Sequence, residues 1–160
     1  MLLGIISDTH GEVTTTRNAI RMFESLGVEH VVHCGDIGSA AIVDLFAGFK
    51  AYFVFGNVDH QRDYIRHAIE DNNQNCQERF GSLEIDGRKI AFLHGDDCNC
   101  LCETAQSQKW DLVCHGHTHM PHLSRRGKTL VLNPGAIVCA TRSSIAIVDL
   151  STMQATHVPL

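Results

Sequence analysis

Short apolar runs, each ending in a polar cluster, punctuate this chain. Leu2 to Ile6 runs into Ser7-Asp8-Thr9-His10-Gly11, and an apolar run of that length reads as a buried strand of an α/β protein. From Glu12 to Leu26 the apolar residues Val13, Ala19, Ile20, Met22, Phe23 and Leu26 follow helical spacing, with Gly27 as the C-cap. Val28 to His33 predicts a second strand, ending in His33-Cys34-Gly35-Asp36, and Ala40 to Phe46 a short helix. Ala51 to Phe55 predicts a third strand, ending in Gly56-Asn57-Val58-Asp59-His60. Asp63 to Glu70 reads as helix and Asp71 to Asn75 as a polar loop, so the first half is β-α-β-α-β-α.

The second half changes period. Leu83 to Ile85 and Lys89 to Leu93 flank Asp86-Gly87, a type I′ hairpin signal, and the second run ends in His94-Gly95-Asp96. Residues 97–109 read as loop and helix, then Asp111 to Cys114 as a strand running into His115-Gly116-His117-Thr118-His119. Leu123 to Arg126 and Thr129 to Leu132 pair around Gly127; Ser144 to Leu150 and Met153 to Val158 make a third hairpin. Helices early and hairpins late predict two mixed sheets packed face to face with helices outside, as a single domain over residues 1–160 with no internal repeat or linker.

Composition narrows the function classes. Apolar residues make up 44% and charged residues 19%, ordinary for a globular chain. A formal charge of -5, with no Lys/Arg run beyond Arg125-Arg126, argues against a nucleic-acid-binding patch. No apolar stretch approaches the roughly 20 residues that span a bilayer. With no basic leader and cleavage site visible at the N-terminus, the expected compartment is the cytoplasm. Seven cysteines, an odd number, then read as reduced thiols rather than a disulfide framework. Cys98, Cys100 and Cys102 alternate on what reads as an extended loop and are taken as incidental. Eleven histidines are the first hint of a metal site.

That hint becomes a pattern at the strand ends. Asp8/His10, Asp36, Asn57, His94 and His117/His119 each follow an apolar run, mostly beside a glycine. Taken alone, Asp8 reads equally well as a helix cap and His10 as an exposed loop residue; the recurrence decides against that. Open α/β sheets present ligands at the carboxyl ends of their strands. Two carboxylates, four imidazoles and one amide oxygen exceed the three or four donors of one zinc centre and suit two divalent ions about 3.5–4 Å apart. Two ions against two aspartates leave a net charge of about +2, which attracts a phosphate oxyanion and acidifies a bridging water.

The order Asp-x-His (Asp8, His10), Gly-Asp (Asp36), Gly-Asn-x-Asp (Asn57, Asp59), His-Gly (His94) and Gly-His-Thr-His (His117, His119) resembles the calcineurin-like metallophosphoesterases. The short chain and the non-histidine residue inside Gly-Asn-x-Asp resemble the small YfcE-type phosphodiesterase branch. The resemblance runs from Ile5 to about Pro134-Gly135 and implies a four-layer α-β-β-α sandwich. It implies that Asp8, His10 and His119 hold one metal and Asn57, His94 and His117 the other, with Asp36 bridging. Asp36, Asn57 and His94 thereby carry the catalytic roles, and Asp36 positions metals rather than acting as a base.

The implied activity is phosphoester hydrolysis, a phosphodiesterase in which a metal-bridging hydroxide attacks phosphorus in line. The alternatives are a phosphomonoesterase or nucleotidase, and a non-catalytic interaction scaffold of the same fold, as in the retromer scaffold subunit. Intact ligand positions favour catalysis. The cofactors are two divalent ions, manganese first, with Fe, Ni, Co or Zn open to the same donor set. The expected partner is a small phosphoester substrate, with an oligomer open.

Three positions depart from the family pattern. Val58 stands where phosphomonoesterases carry a histidine that protonates the leaving group, Asp96 where many relatives repeat a histidine, and Ala136 where serine is common. Other histidines receive lesser roles. His33 reads as a buried support of the site loop, His115 and His122 as shaping the Gly-His-Thr-His segment, and His60 as an exposed residue at a helix start. Arg62, Arg66 and His67 read as a solvated helix face, and His30 and His157 as surface residues. Asn133-Pro134-Gly135-Ala136 reads as a tight turn at the site rim, which Arg142 shares.

Overall fold

The computed structural model describes residues 1–160. One sheet holds β1 (Leu2–Ile6), β2 (His30–His33), β3 (Lys50–Phe53) and β4 (Asn75–Cys76), with β10 (Ser144–Asp149) and β11 (Gln154–Pro159) returning to its other edge. Its order is β11-β10-β1-β2-β3-β4, parallel from β1 to β4 and antiparallel at β10 and β11. The second sheet holds β5 (Phe80–Ile85), β6 (Arg88–Leu93), β7 (Leu112–Cys114), β8 (His122–Arg126) and β9 (Thr129–Asn133), in the order β5-β6-β7-β9-β8.

Helices α1 (Val13–Ser25), α2 (Ala40–Asp44) and α3 (Arg62–Asp71) cover the outer face of the first sheet, and α4 (Cys98–Gln106) that of the second. Leu3, Ile5 and Val32 meet Phe92, Leu112 and Leu132 between the sheets, while Phe23, Phe46, Phe53 and Ile65 pack under the first three helices. The result is the expected four-layer α-β-β-α sandwich of two mixed sheets.

Local chemistry explains the boundaries. The Glu12 carboxylate accepts from the N–H groups of Thr14 and Thr15 and starts α1. Gly27, at φ +69°, donates to the Glu24 carbonyl where α1 ends. Asp86 and Gly87 both have positive φ, as a type I′ turn requires.

The differences have equally local causes. β3 ends at Phe53 rather than Phe55, because the Phe55 N–H leaves the ladder for the Glu78 carbonyl. The two-residue strand Asn75–Cys76 begins at the last residue of the segment read as a polar loop; it is too short to show any alternation. Cys98, Cys100 and Cys102 lie on a helix, not an extended loop, since the Asp97 carboxylate caps the N–H groups of Asn99 and Cys100. His30 is buried rather than on the surface, stacked on Tyr52 at 5.9 Å, and half-buried His157 bonds the Asn133 carbonyl at 2.7 Å.

Candidate metal centre

The loops after β1, β2, β3, β6 and β7 converge at one edge of the sandwich and bring most of the anticipated residues together. Asp8, His10, Asp36, His117 and His119 have φ of 55°, 45°, 54°, 69° and 58°, the left-handed region that non-glycine residues rarely adopt. Each such residue carries roughly 1–3 kcal/mol of strain and persists only where its surroundings over-determine it. Here the restraint is a ladder between loops: the N–H groups of Asp8, His10 and Gly11 donate to the carbonyls of Gly35, Asp36 and Ile37 at 3.0, 2.9 and 2.9 Å. The sharp turns aim carboxylates and imidazoles at a common point.

Around that point the donor atoms nearly touch. Asp8 Oδ1 lies 3.1 Å from His119 Nε2 and 3.8 Å from His10 Nε2; Asp36 Oδ2 lies 3.7 Å from His10 Nε2 and 3.2 Å from His94 Nε2. Two sets have all their ligand atoms within 4.8 Å of one another: Asp8, His10 and His119, and Asp8, Asp36 and His94. The two sets share Asp8, while Asp36 stands between His10 and His94. His117 packs its ring edge-on against His94 at 5.1 Å, and its backbone N–H donates to Asp8 Oδ2. Asn57 is exposed, midway along the loop after β3.

The imidazoles are held from behind. His94 Nδ1 donates to the Cys34 carbonyl at 2.9 Å, and His119 Nδ1 to the Cys139 carbonyl at 3.4 Å. Those bonds place the Nε2 lone pair of each ring toward a carboxylate oxygen. Two lone pairs about 3 Å apart need a proton or a cation between them. Burial pulls the His94 imidazole toward a lower pKa, but the Asp36 carboxylate outweighs it and raises the value. Burial likewise pushes Asp36 upward, and the His94 imidazole and Val58 N–H overcome it, holding the carboxyl below its ordinary value.

The donor set fits divalent cations. Asp8 Oδ1, His10 Nε2 and His94 Nε2 are buried and lack any hydrogen-bond partner. Orphaned buried polar atoms cost about 1–3 kcal/mol each, and three gathered at one point beside the Asp36 carboxylate are a group that positive charge satisfies.

Supporting residues divide between those anticipated and those missed. His33 is fully buried; its Nε2 meets the Thr9 hydroxyl at 2.9 Å and its Nδ1 accepts from the Gly35 N–H, and burial lowers its pKa to about 3. It is a loop support, as expected. Asn133 Nδ2 donates to the Gly116 carbonyl and the Thr118 hydroxyl, so the turn at 133–136 braces the Gly-His-Thr-His loop. Asp96 pairs with Arg79 at 2.6 Å, and His60 is exposed.

Arg62 is not merely a solvated residue. Its guanidinium donates to the carbonyls of Asp59 and Gly56, while Arg66 joins Asp63 and Glu78. Asp59, given no role by sequence reasoning, is 1% exposed and accepts from three backbone N–H groups. Its place inside Gly-Asn-x-Asp was the available signal.

Comparison with known proteins agrees with this geometry. A family model for the calcineurin-like phosphoesterase superfamily domain matches residues 1–153. The chain is 36% identical over 138 residues to Phosphodiesterase MJ0936 of Methanocaldococcus jannaschii, covering 84% of this chain and 83% of that protein. A solved structure of an archaeal phosphodiesterase superposes with a TM-score of 0.93 at 31% identity, covering 100% of both chains. YfcE, a phosphoesterase from Escherichia coli, shares the fold with a TM-score of 0.71 at 18% identity, over 99% of this chain and 98% of that one.

Proposed function

The chain belongs to the calcineurin-like phosphoesterase superfamily, and from that premise we propose that it is a metal-dependent phosphodiesterase working with two divalent ions, manganese first among them. Asp8, His10 and His119 would hold one ion and Asn57, His94 and His117 the other, with Asp36 shared between them. Divalent ions held there supply charge against the non-bridging oxygens of a phosphate ester and the acidity that makes water a nucleophile near neutral pH.

The chain's own residues do the rest. Asp36, with its carboxyl held below the ordinary value, serves as a ligand and not as the base. The Cys34 and Cys139 carbonyls keep the His94 and His119 lone pairs aimed inward. Asp8 Oδ2 is occupied by the His117 N–H, which leaves Oδ1 free for the site. Val58, 40% exposed at the rim, offers a leaving group no proton.

The observation that carries this reading is the gathering of three partnerless buried ligand atoms, from Asp8, His10 and His94, beside the Asp36 carboxylate. Manganese titration with elemental analysis, followed by assays on a bis-aryl phosphodiester and the matching aryl monoester, tests it. About two ions per chain and faster diester hydrolysis are expected; one ion or fewer at saturation, or a preference for the monoester, overturns it.

A further inference from the structure

We propose that Asp59 is a positioning residue: its carboxylate sets the separation between the Asp36 and Asn57 loops and thereby the affinity of the second ion, an inference that rests on those two residues holding that ion. The loop 35–38 is gripped unequally on its two sides. Toward the loop after β1, three backbone hydrogen bonds and the Thr9 hydroxyl, which donates to the Ile37 carbonyl at 3.0 Å, secure it. Toward the loop 56–59 no backbone–backbone hydrogen bond joins the two.

Asp59 does that work instead. Oδ2 accepts from Ile37 N–H at 3.2 Å and Gly56 N–H at 2.8 Å, and Oδ1 from Gly38 N–H at 2.9 Å. One side chain thus holds backbone on both sides of the Asp36 and Asn57 loops. The remaining link is the Val58 N–H on Asp36 Oδ1 at 3.2 Å, which runs through the proposed bridge itself.

Close packing makes that spacing sensitive. A Cβ on Gly56 would collide with the Asp36 carboxylate, so the two loops are already in contact. Arg62 secures the far side of the Asp59 loop through the carbonyls of Asp59 and Gly56. Asp59 itself sits 1% exposed, with both oxygens engaged by backbone N–H groups, and belongs to neither set of candidate ligands. Its influence is therefore exerted on the Asn57 loop, and it falls on the second ion, because Asn57 serves that ion alone while the shared Asp36 is also held by the ladder to the loop carrying Asp8 and His10.

Calorimetric titration of Mn²⁺ into the metal-free protein resolves the two affinities. In Asp59→Asn, which keeps the shape but leaves one acceptor oxygen, the second dissociation constant should weaken about 10–100-fold, the usual effect of a lost partner behind a metal ligand, while the first stays within about twofold. A merely structural residue would lower the melting temperature and shift both constants together. Should Asp59→Asn not fold, Arg62→Gln, which frees the same loop, should weaken the second constant in the same direction. Asp36→Asn is the control: if it abolishes the second ion while the folded Asp59 or Arg62 variant leaves both constants unchanged, or shifts them together, the positioning role is overturned. If Asp36→Asn leaves the second ion in place, the ligand assignment fails instead.

Discussion

His94 Nε2 and Asp36 Oδ2 face each other at 3.2 Å, each held from behind, the imidazole by the Cys34 carbonyl and the carboxylate by the Val58 N–H. Neither can turn away without breaking a hydrogen bond, so their approach is built into the fold. Asp36→Asn removes the charge but keeps the shape, and the chain should fold. Loss of one preorganised electrostatic contact in a site of this kind costs about 10²–10³-fold in turnover, and kcat on a bis-aryl phosphodiester should fall by at least about 100-fold. Near-normal turnover would remove Asp36 from the bridging position.

The partnerless donors predict a linkage between metal and stability. Asp8 Oδ1, His10 Nε2 and His94 Nε2 are buried and have no hydrogen-bond partner. Free Mn²⁺ at about 100 times its dissociation constant should stabilise the fold by about 2.7 kcal/mol, a rise of roughly 5–10 °C in melting temperature for a chain of this size. Chelation should reverse it. Thermal melts with and without chelator check this, and coincident curves would count against cation binding in the folded state.

The sequence was informative where chemistry and period coincide. Strand ends carrying Asp8, Asp36, His94 and His119 were legible because each apolar run stops where a polar ligand begins, and the hairpin at Asp86-Gly87 because its turn demands positive φ at both residues. Asp59 escaped because its partners are backbone N–H groups of Ile37 and Gly38, which no side-chain pattern records. Arg62 escaped for the same reason: its acceptors are carbonyls, so its composition reads as a solvated helix face. A helix was legible within residues 97–109, but its start at Cys98 was hidden by the alternation of Cys98, Cys100 and Cys102, which resembles an extended segment, and β4 was hidden by a length too short for any period.

His33 gives an acid sensitivity with a definite sign. Burial lowers its pKa from 6.5 to about 3 in the folded chain, so on acidification the unfolded chain takes up a proton that the folded chain refuses. Stability from this group is complete above about pH 6.5 and is lost as the pH falls toward 3, by about 1.4 kcal/mol per pH unit within that window. His33→Gln should be less stable at pH 7, having lost part of the Thr9 and Gly35 contacts, yet show a shallower decline between pH 6.5 and 4.5. Denaturant titrations of both metal-free proteins across that range measure the two slopes; equal slopes would place the acid sensitivity elsewhere.

Val58 bears on which ester is cleaved. It is 40% exposed, and its N–H lies 3.2 Å from Asp36 Oδ1, which puts its side chain beside the metal centre. An isopropyl group cannot donate a proton to a departing alkoxide or bond a phosphate oxygen, and a positioned general acid contributes about 10²–10⁴-fold where the leaving group is poor. The wild-type rate should therefore depend steeply on leaving-group pKa, favouring aryl phosphodiesters over alkyl monoesters. Val58→His places a donor at this exposed position, and it should flatten that dependence and raise monoesterase activity relative to diesterase activity. A series of substituted phenyl and alkyl esters, assayed on both proteins under conditions where chemistry limits the rate, measures the slopes. A flat wild-type dependence would mean that another group supplies the proton, with exposed His60, two residues away, the first to replace with alanine. A steep wild-type slope, combined with little effect of His60→Ala, ties the ester preference to the missing donor at Val58.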